Sequence, residues 1–183
     1  MSNKIYLITK NKIKFESAKS VFDKYNIKLE SCENEFPEIQ ANSSLEVARH
    51  TALAAVKELN APVIREDHSI YFSAINFPGP FSAYMEEKIN AKKLLKMMSS
   101  FRDKSGCFEI ATVYAEPGGE EFNNVYKVPF TLSEKVKGNY KIWDSIIILK
   151  GEKRTLTEYP VEERMHIWTK GYEAVAKHIS SRK

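Results

Sequence analysis

The chain has 183 residues and a formal net charge of +4, with 43% hydrophobic and 28% charged residues. This is an ordinary soluble composition, long enough to bury a core without disulfides, and it predicts one domain over residues 1–183. The positive excess suits an anionic ligand such as a nucleotide but is too small and dispersed for a DNA-binding surface, and no stretch could span a membrane.

Ile5-Tyr6-Leu7-Ile8-Thr9 reads as a buried first strand, and Lys10-Asn11-Lys12 as the turn after it. Phe15, Ala18, Val21 and Phe22 then recur at helical spacing. A strand, a polar turn and a helix make a candidate phosphate cradle, because a helix N-terminus presents free N–H groups and Lys10, Lys12 and Lys14 add charge there. The alternative is a solvated lysine-rich first turn. Residues 27–29 read as a second strand and 33–40 as a loop. Asn42, Ser43 and Ser44 offer an N-cap for a long helix ending near Asn60, whose alanine-rich face implies close packing on a sheet. Cys32 and Cys107 lack metal-ligand spacing, which fits a reducing cytoplasm.

The stretch 61–72 is the centre of the chain. Val63 and Ile64 lead into Glu66 and Asp67, and Ile70, Tyr71 and Phe72 follow. Acids flanked in this way belong at the end of a buried strand, where an unpaired charge is expensive and a divalent cation can offset it. The alternative is a surface turn with two solvated acids. Residues 76–82 form a rigid turn. Residues 86–98 are expected as one helix with Leu94, Leu95, Met97 and Met98 facing the core. Residues 107–115 and 121–128 read as a hairpin about Pro117-Gly118-Gly119-Glu120. Residues 131–136 and 141–149 are expected as further strands, and 160–178 as a final helix. Strands alternating with helices, with a hairpin among them, indicate an α/β domain with a mixed sheet.

The order of four blocks resembles the inosine triphosphate pyrophosphatase family, house-cleaning enzymes that hydrolyse non-standard purine nucleoside triphosphates. These are Phe36-Pro37-Glu38-Ile39-Gln40, Glu46-Val47-Ala48-Arg49-His50, Pro62-Val63-Ile64-Arg65-Glu66-Asp67 and Phe77-Pro78-Gly79-Pro80-Phe81-Ser82. The resemblance implies a long curved mixed β-sheet flanked by helices, two lobes with a central cleft, a homodimer and a Mg2+ cofactor. It implies cleavage of deaminated purine nucleoside triphosphates such as ITP and XTP to monophosphate and pyrophosphate, in the cytoplasm. It makes Asp67 and Glu66 the catalytic acids and Glu38 and Asp67 the metal ligands. Thr9, Asn11 and Lys14 match the phosphate loop, Trp143 and Asp144 the pair beside the nucleobase, and Arg164 replaces a phosphate-binding lysine.

Other family positions differ. Lys10 replaces a loop glycine, Ser69 a glycine after the acids, Lys141 the base-stacking phenylalanine, and Ala83 a basic residue. A helix lysine aligns near Thr51, and a Ser-His-Arg base reader aligns with Trp168-Thr169-Lys170. Trp168 is a candidate replacement for the stacking ring, with a core or dimer-interface aromatic as the other reading; Trp143 likewise has a core residue as its other reading, and Lys170 is a candidate phosphate contact. These losses define the alternative function, a catalytically impaired nucleotide-binding protein that keeps the fold. A nucleic-acid binder using the basic surplus is a third, weaker option.

Overall fold

The computed structural model describes residues 4–138 and 141–182. Strand β1 (Ile5–Ile8) pairs in parallel with β2 (Leu29–Cys32), and Leu7 stands opposite Ile64 of the parallel strand β3 (Val63–Phe72). Successive side chains of a strand face opposite ways. Ile5, Leu7 and Ile64 therefore join one core, with Ala18, Val21 and Phe22 of helix α1 (Lys12–Phe22) and Tyr172, Val175 and Ala176 of α6 (Lys170–Ser180). Ile8 and Val63 join the other, against Ala48, Ala52 and Ala55 of α2 (Ser44–Leu59). The three alanines are fully buried, the close helix-to-sheet approach that the alanine-rich face predicts.

The chain forms two compact units. The first contains the segment up to Asp67, Ile110–Tyr126 and the segment from Met165; the second contains His68–Glu109 and Lys127–Arg164. Strands β5 (Ser105–Ala115) and β6 (Glu121–Leu132) contribute to both, as does β3. The hydrogen-bonded strand order is β2-β1-β3-β5-β6-β7, with β4 (Phe77–Gly79) antiparallel to β3 and β7 (Ile147–Leu149) antiparallel to β6. With α3 (Ser82–Lys88), α4 (Ala91–Met98) and the short α5 (Val161–Arg164), this is the expected mixed α/β fold. Within the second unit, Phe72 packs its ring against Phe130 and against Trp143, both at 6.1 Å between centroids. Among the described residues no helix is long and apolar enough to cross a membrane.

Several boundaries differ from the sequence reading. Residues 86–98 are two helices, because Ile89 is extended and the Asn90 side chain accepts from the Lys93 N–H to start a new one. Of the four residues expected to face the core there, only Leu94 and Met98 are buried, and Met97 is 52% exposed. Residues 131–136 are not a separate strand: β6 runs unbroken to Leu132, and the Ser133 hydroxyl then closes a turn on the Lys135 carbonyl. Residues 142–146 are turns, with the Ser145 hydroxyl bonded to the Ile142 carbonyl at 2.8 Å, so within 141–149 only 147–149 are strand. The final helix is interrupted after Arg164 by a tight turn at Met165–Ile167. The second strand begins two residues late, at Leu29, after Asn26 ends the preceding turn in the left-handed region at φ 54°.

Gly171 lets α6 lie directly on β5. A Cβ there would stand 2.0 Å from the Thr112 hydroxyl oxygen and 2.9 Å from its Cβ, inside a buried contact. Gly171→Ala should lower stability by about 1–3 kcal/mol, read as a fall in the calorimetric melting temperature.

Candidate active site

The strand-to-helix turn is built by short polar side chains. The Thr9 hydroxyl accepts from the Asn11 N–H at 3.1 Å, and Asn11 Oδ1 accepts from the N–H groups of Ile13 and Lys14 at 3.0 and 3.3 Å. This corrects one expectation: Asn11 is a helix cap, so two of the N–H groups expected to be free for a phosphate already have an acceptor. What remains is charge. Lys10 and Lys14 line a cavity of about 570 Å³ together with Thr9, Asn11, Glu38 and Arg65. Thr51, at the position of the missing helix lysine, also lines it and bonds its hydroxyl to the Pro37 carbonyl at 3.4 Å.

Glu66 and Asp67 lie in the middle of a ten-residue strand, not at its end. Being consecutive, they project from opposite faces of the sheet. The Glu66 side chain is 2% exposed and ion-paired with Lys14 Nζ at 3.3 Å. It faces Tyr172, and burial together with the Glu66 carboxylate pushes that phenol well above its ordinary range. Asp67 shares a face with Arg65. Burial raises its carboxyl from 3.8 to about 6, against the charges of Lys14 and Arg65 and with those of Glu38 and Glu66. The Arg65 guanidinium donates to the Ile8 carbonyl at 2.9 Å and is ion-paired with Glu38. Lys10 is ion-paired with Glu35.

Glu38, Glu66 and Asp67 therefore do not gather into a bare acidic cluster. Glu38 and Glu66 each pair with a cation of the chain, and among the described residues no group of three His, Cys, Asp or Glu side chains could hold a metal ion. Magnesium, however, takes one or two carboxylates and completes its shell with substrate phosphates and water. Glu38 and Asp67 fit that need: both offer oxygen, both are coupled through charge, and a cation would offset the desolvation of Asp67.

Trp143 takes the core position that is its other reading: it is 7% exposed and packed on Phe72 in the second unit. Asp144 and Arg164, in the same unit, form an ion pair at 3.3 Å. Glu86, which the sequence reading left unassigned, lies near them, its carboxyl raised first by burial and further by Asp144. Trp168 and Lys170 belong to the first unit. Trp168 is half-buried, with its backbone N–H bonded to the Met165 carbonyl at 3.0 Å, while the exposed Lys170 places its ammonium 6.0 Å from the centre of the Tyr126 ring. Arg65, Tyr172 and Tyr126 carry no site role in the sequence pattern. Arg65 had one available signal, its position two residues before Asp67 and so on the same face of the strand.

A lysine-bearing strand-to-helix turn at the carboxyl ends of parallel strands, opening on a cavity beside a desolvated carboxyl, is a place where an α/β protein can take an anionic ligand. Comparison with known proteins narrows this class. The Ham1 family model matches residues 5–179, and the chain belongs to the Ham1 family. It is 32% identical over 166 residues to the dITP/XTP pyrophosphatase of Methanopyrus kandleri, covering 90% of this chain and 88% of that protein. It is also 32% identical to the dITP/XTP pyrophosphatase of Saccharolobus solfataricus, over 88% of this chain and 84% of that one. The structure of the Staphylococcus aureus Ham1 protein shares the fold at a TM-score of 0.82 and 20% identity, covering 98% of this chain and 100% of that one. A Mycobacterium abscessus nucleoside-triphosphatase shares it at 0.77 and 22%, covering 94% and 96%.

Two stability outcomes follow from this geometry. Lys14→Met strands the Glu66 charge and should cost about 2–4 kcal/mol, less than a fully buried pair because Lys14 is partly exposed; Glu66→Gln in the same chain should recover most of it, as denaturant titration will read. Asp67 holds its proton more tightly folded than unfolded, so it favours folding at acid pH, and that contribution is lost as pH rises from about 4 through about 6. Asp67→Asn should therefore raise stability by about 2–3 kcal/mol at pH 7.5 and change it little at pH 4, measured by urea melts at both pH values.

Proposed function

We propose that this chain is a metal-dependent nucleoside triphosphate pyrophosphohydrolase that converts deaminated purine nucleoside triphosphates, such as ITP and XTP, to the monophosphate and pyrophosphate. The observation that carries the proposal is Asp67. Its carboxyl is raised to about 6 and stands among the charges of Lys14, Arg65 and Glu38, which line an open cavity. A desolvated carboxyl set among fixed charges at a cavity is the kind of group that orients a water and takes its proton. The names of the archaeal relatives support the substrate class.

Hydrolysis needs water to attack a phosphorus while negative charge builds on the phosphate oxygens. Asp67 orients that water and accepts its proton. Lys14 and Lys10 face the phosphates with positive charge, and the Thr9 hydroxyl offers a hydrogen bond. Glu66 does not touch the water: it fixes Lys14 from the opposite face of the strand. Glu38 and Asp67 would hold the metal, which supplies charge neutralisation at the phosphates and a more acidic bound water. Lys170, Trp168, Asp144 and Arg164 are the further proposed substrate contacts. Trp143 supports that end of its unit from the core instead. The same reading makes magnesium the metal, the homodimer the active assembly and the cytoplasm the compartment.

A panel of nucleoside triphosphates incubated with Mg2+ should release pyrophosphate, fastest from ITP and XTP. Asp67→Ala should lower kcat by roughly 10²–10⁴-fold. Release no greater than that of Asp67→Ala for every nucleotide, with binding still seen by calorimetry, would replace this proposal with a nucleotide-binding protein that does not turn over.

A further inference from the structure

Both acids that line the phosphate-facing cavity are already taken by cations of the chain, Glu35 by Lys10 and Glu38 by Arg65. The two pairs are unlike in construction. Lys10 and Glu35 are exposed partners at the rim, with 57% and 85% of their side chains open to solvent. Arg65 is 17% exposed, rooted in β3, and fixed in orientation by its bond to the Ile8 carbonyl at the end of β1. Glu38, in contrast, comes from a segment without regular structure and is 56% exposed. The rigid member is the arginine, and the loop acid is brought to it.

We propose that Arg65 is a built-in counter-ion that occupies Glu38 in place of a divalent cation, so that the cavity takes metal together with phosphate rather than metal alone. This rests on the reading of Glu38 as a metal ligand. A guanidinium beside two metal-binding oxygens repels a cation arriving without an anion, and it blocks one Glu38 oxygen by its own hydrogen bond. A phosphate removes both obstacles. It is an acceptor that a guanidinium binds as well as a carboxylate, so Arg65 can exchange Glu38 for the phosphate. Glu38 is then released to the cation that accompanies the phosphate. The exchange conserves charge pairing: each ion leaves one partner for another of the same sign.

The test uses Mn2+ as the probe, read by electron paramagnetic resonance on the full chain without nucleotide. In the unaltered protein, inorganic pyrophosphate should tighten Mn2+ binding about tenfold, the size of an ordinary coupling between two ligands. Arg65→Met should bind Mn2+ alone about tenfold more tightly than the unaltered protein, and pyrophosphate should then add little. Adding Glu38→Gln to Arg65→Met should abolish that gain, and Arg65→Lys, which keeps the charge, should not show it. Arg65→Gln, which keeps a donor for the Ile8 carbonyl, gives the same reading if the methionine variant does not fold. Mn2+ affinity that is unchanged or weaker without the arginine charge overturns the inference, as does a gain that survives Glu38→Gln. Because Mn2+ binding is read without turnover, absent nucleotide hydrolysis counts against the pyrophosphohydrolase alone, and hydrolysis with no effect of Arg65 on Mn2+ counts against the counter-ion alone.

Discussion

A carboxylate with 2% of its side chain exposed can stay ionised only beside a cation, and the arrangement around β3 follows from how Glu66 meets that need. The cation is Lys14, in the first turn of α1. Asn11 caps that turn, and the Thr9 hydroxyl accepts from the Asn11 N–H. The chain from the end of β1 to the start of α1 is thus held to the middle of β3 by the Lys14–Glu66 ion pair and by the bond from the Arg65 guanidinium to the Ile8 carbonyl, with local hydrogen bonds shaping the turn between. Lys14 is fixed where it also acts on Asp67, although it pairs with the neighbouring acid.

The two-residue repeat of a strand explains why adjacent acids take different tasks. Glu66 points to the face covered by α1 and α6, among Lys14 and Tyr172, and is withdrawn from water. Asp67 points to the face it shares with Arg65 and feels the charges of Lys14, Arg65 and Glu38, which line the cavity. A pair of carboxylates on a turn could share one ion; a pair in the middle of a strand cannot face the same way. One acid therefore positions, and the other is available for chemistry. The high pKa of Asp67 and the buried charge of Glu66 are consequences of the same extended backbone.

Much of this was legible in the sequence where local chemistry decides the outcome. The first strand and helix, the alanine face of α2 and the turn at Pro117-Gly118-Gly119-Glu120 each rest on periodicity or turn residues within a few positions, and each appears as read. Lys14, Glu38, Glu66 and Asp67 were legible as charged residues, and the structure couples Asp67 electrostatically to the other three. Their pairing was not legible, because Arg65 meets Glu38 across 27 residues and no local pattern marks such a partner. The length of β3 was hidden for the related reason that two acids interrupt its apolar pattern, while their cations lie elsewhere in the sequence. The breaks at Ile89 and after Arg164 were missed because helical spacing of apolar residues continues across both, and only a cap or a turn in three dimensions divides them. Trp143 carried two readings, a place beside the base by resemblance and a core aromatic by residue type, and its burial against Phe72 accords with the second.

Tyr172, which closes over Glu66, is encoded more than a hundred residues after it, and the strand bearing Glu66 is complete long before α6 emerges during synthesis. Until that helix arrives, the face of β3 that carries Glu66 lacks part of its cover, and water can reach the carboxylate. The last helix therefore acts as a latch on the ionised centre of the nascent protein.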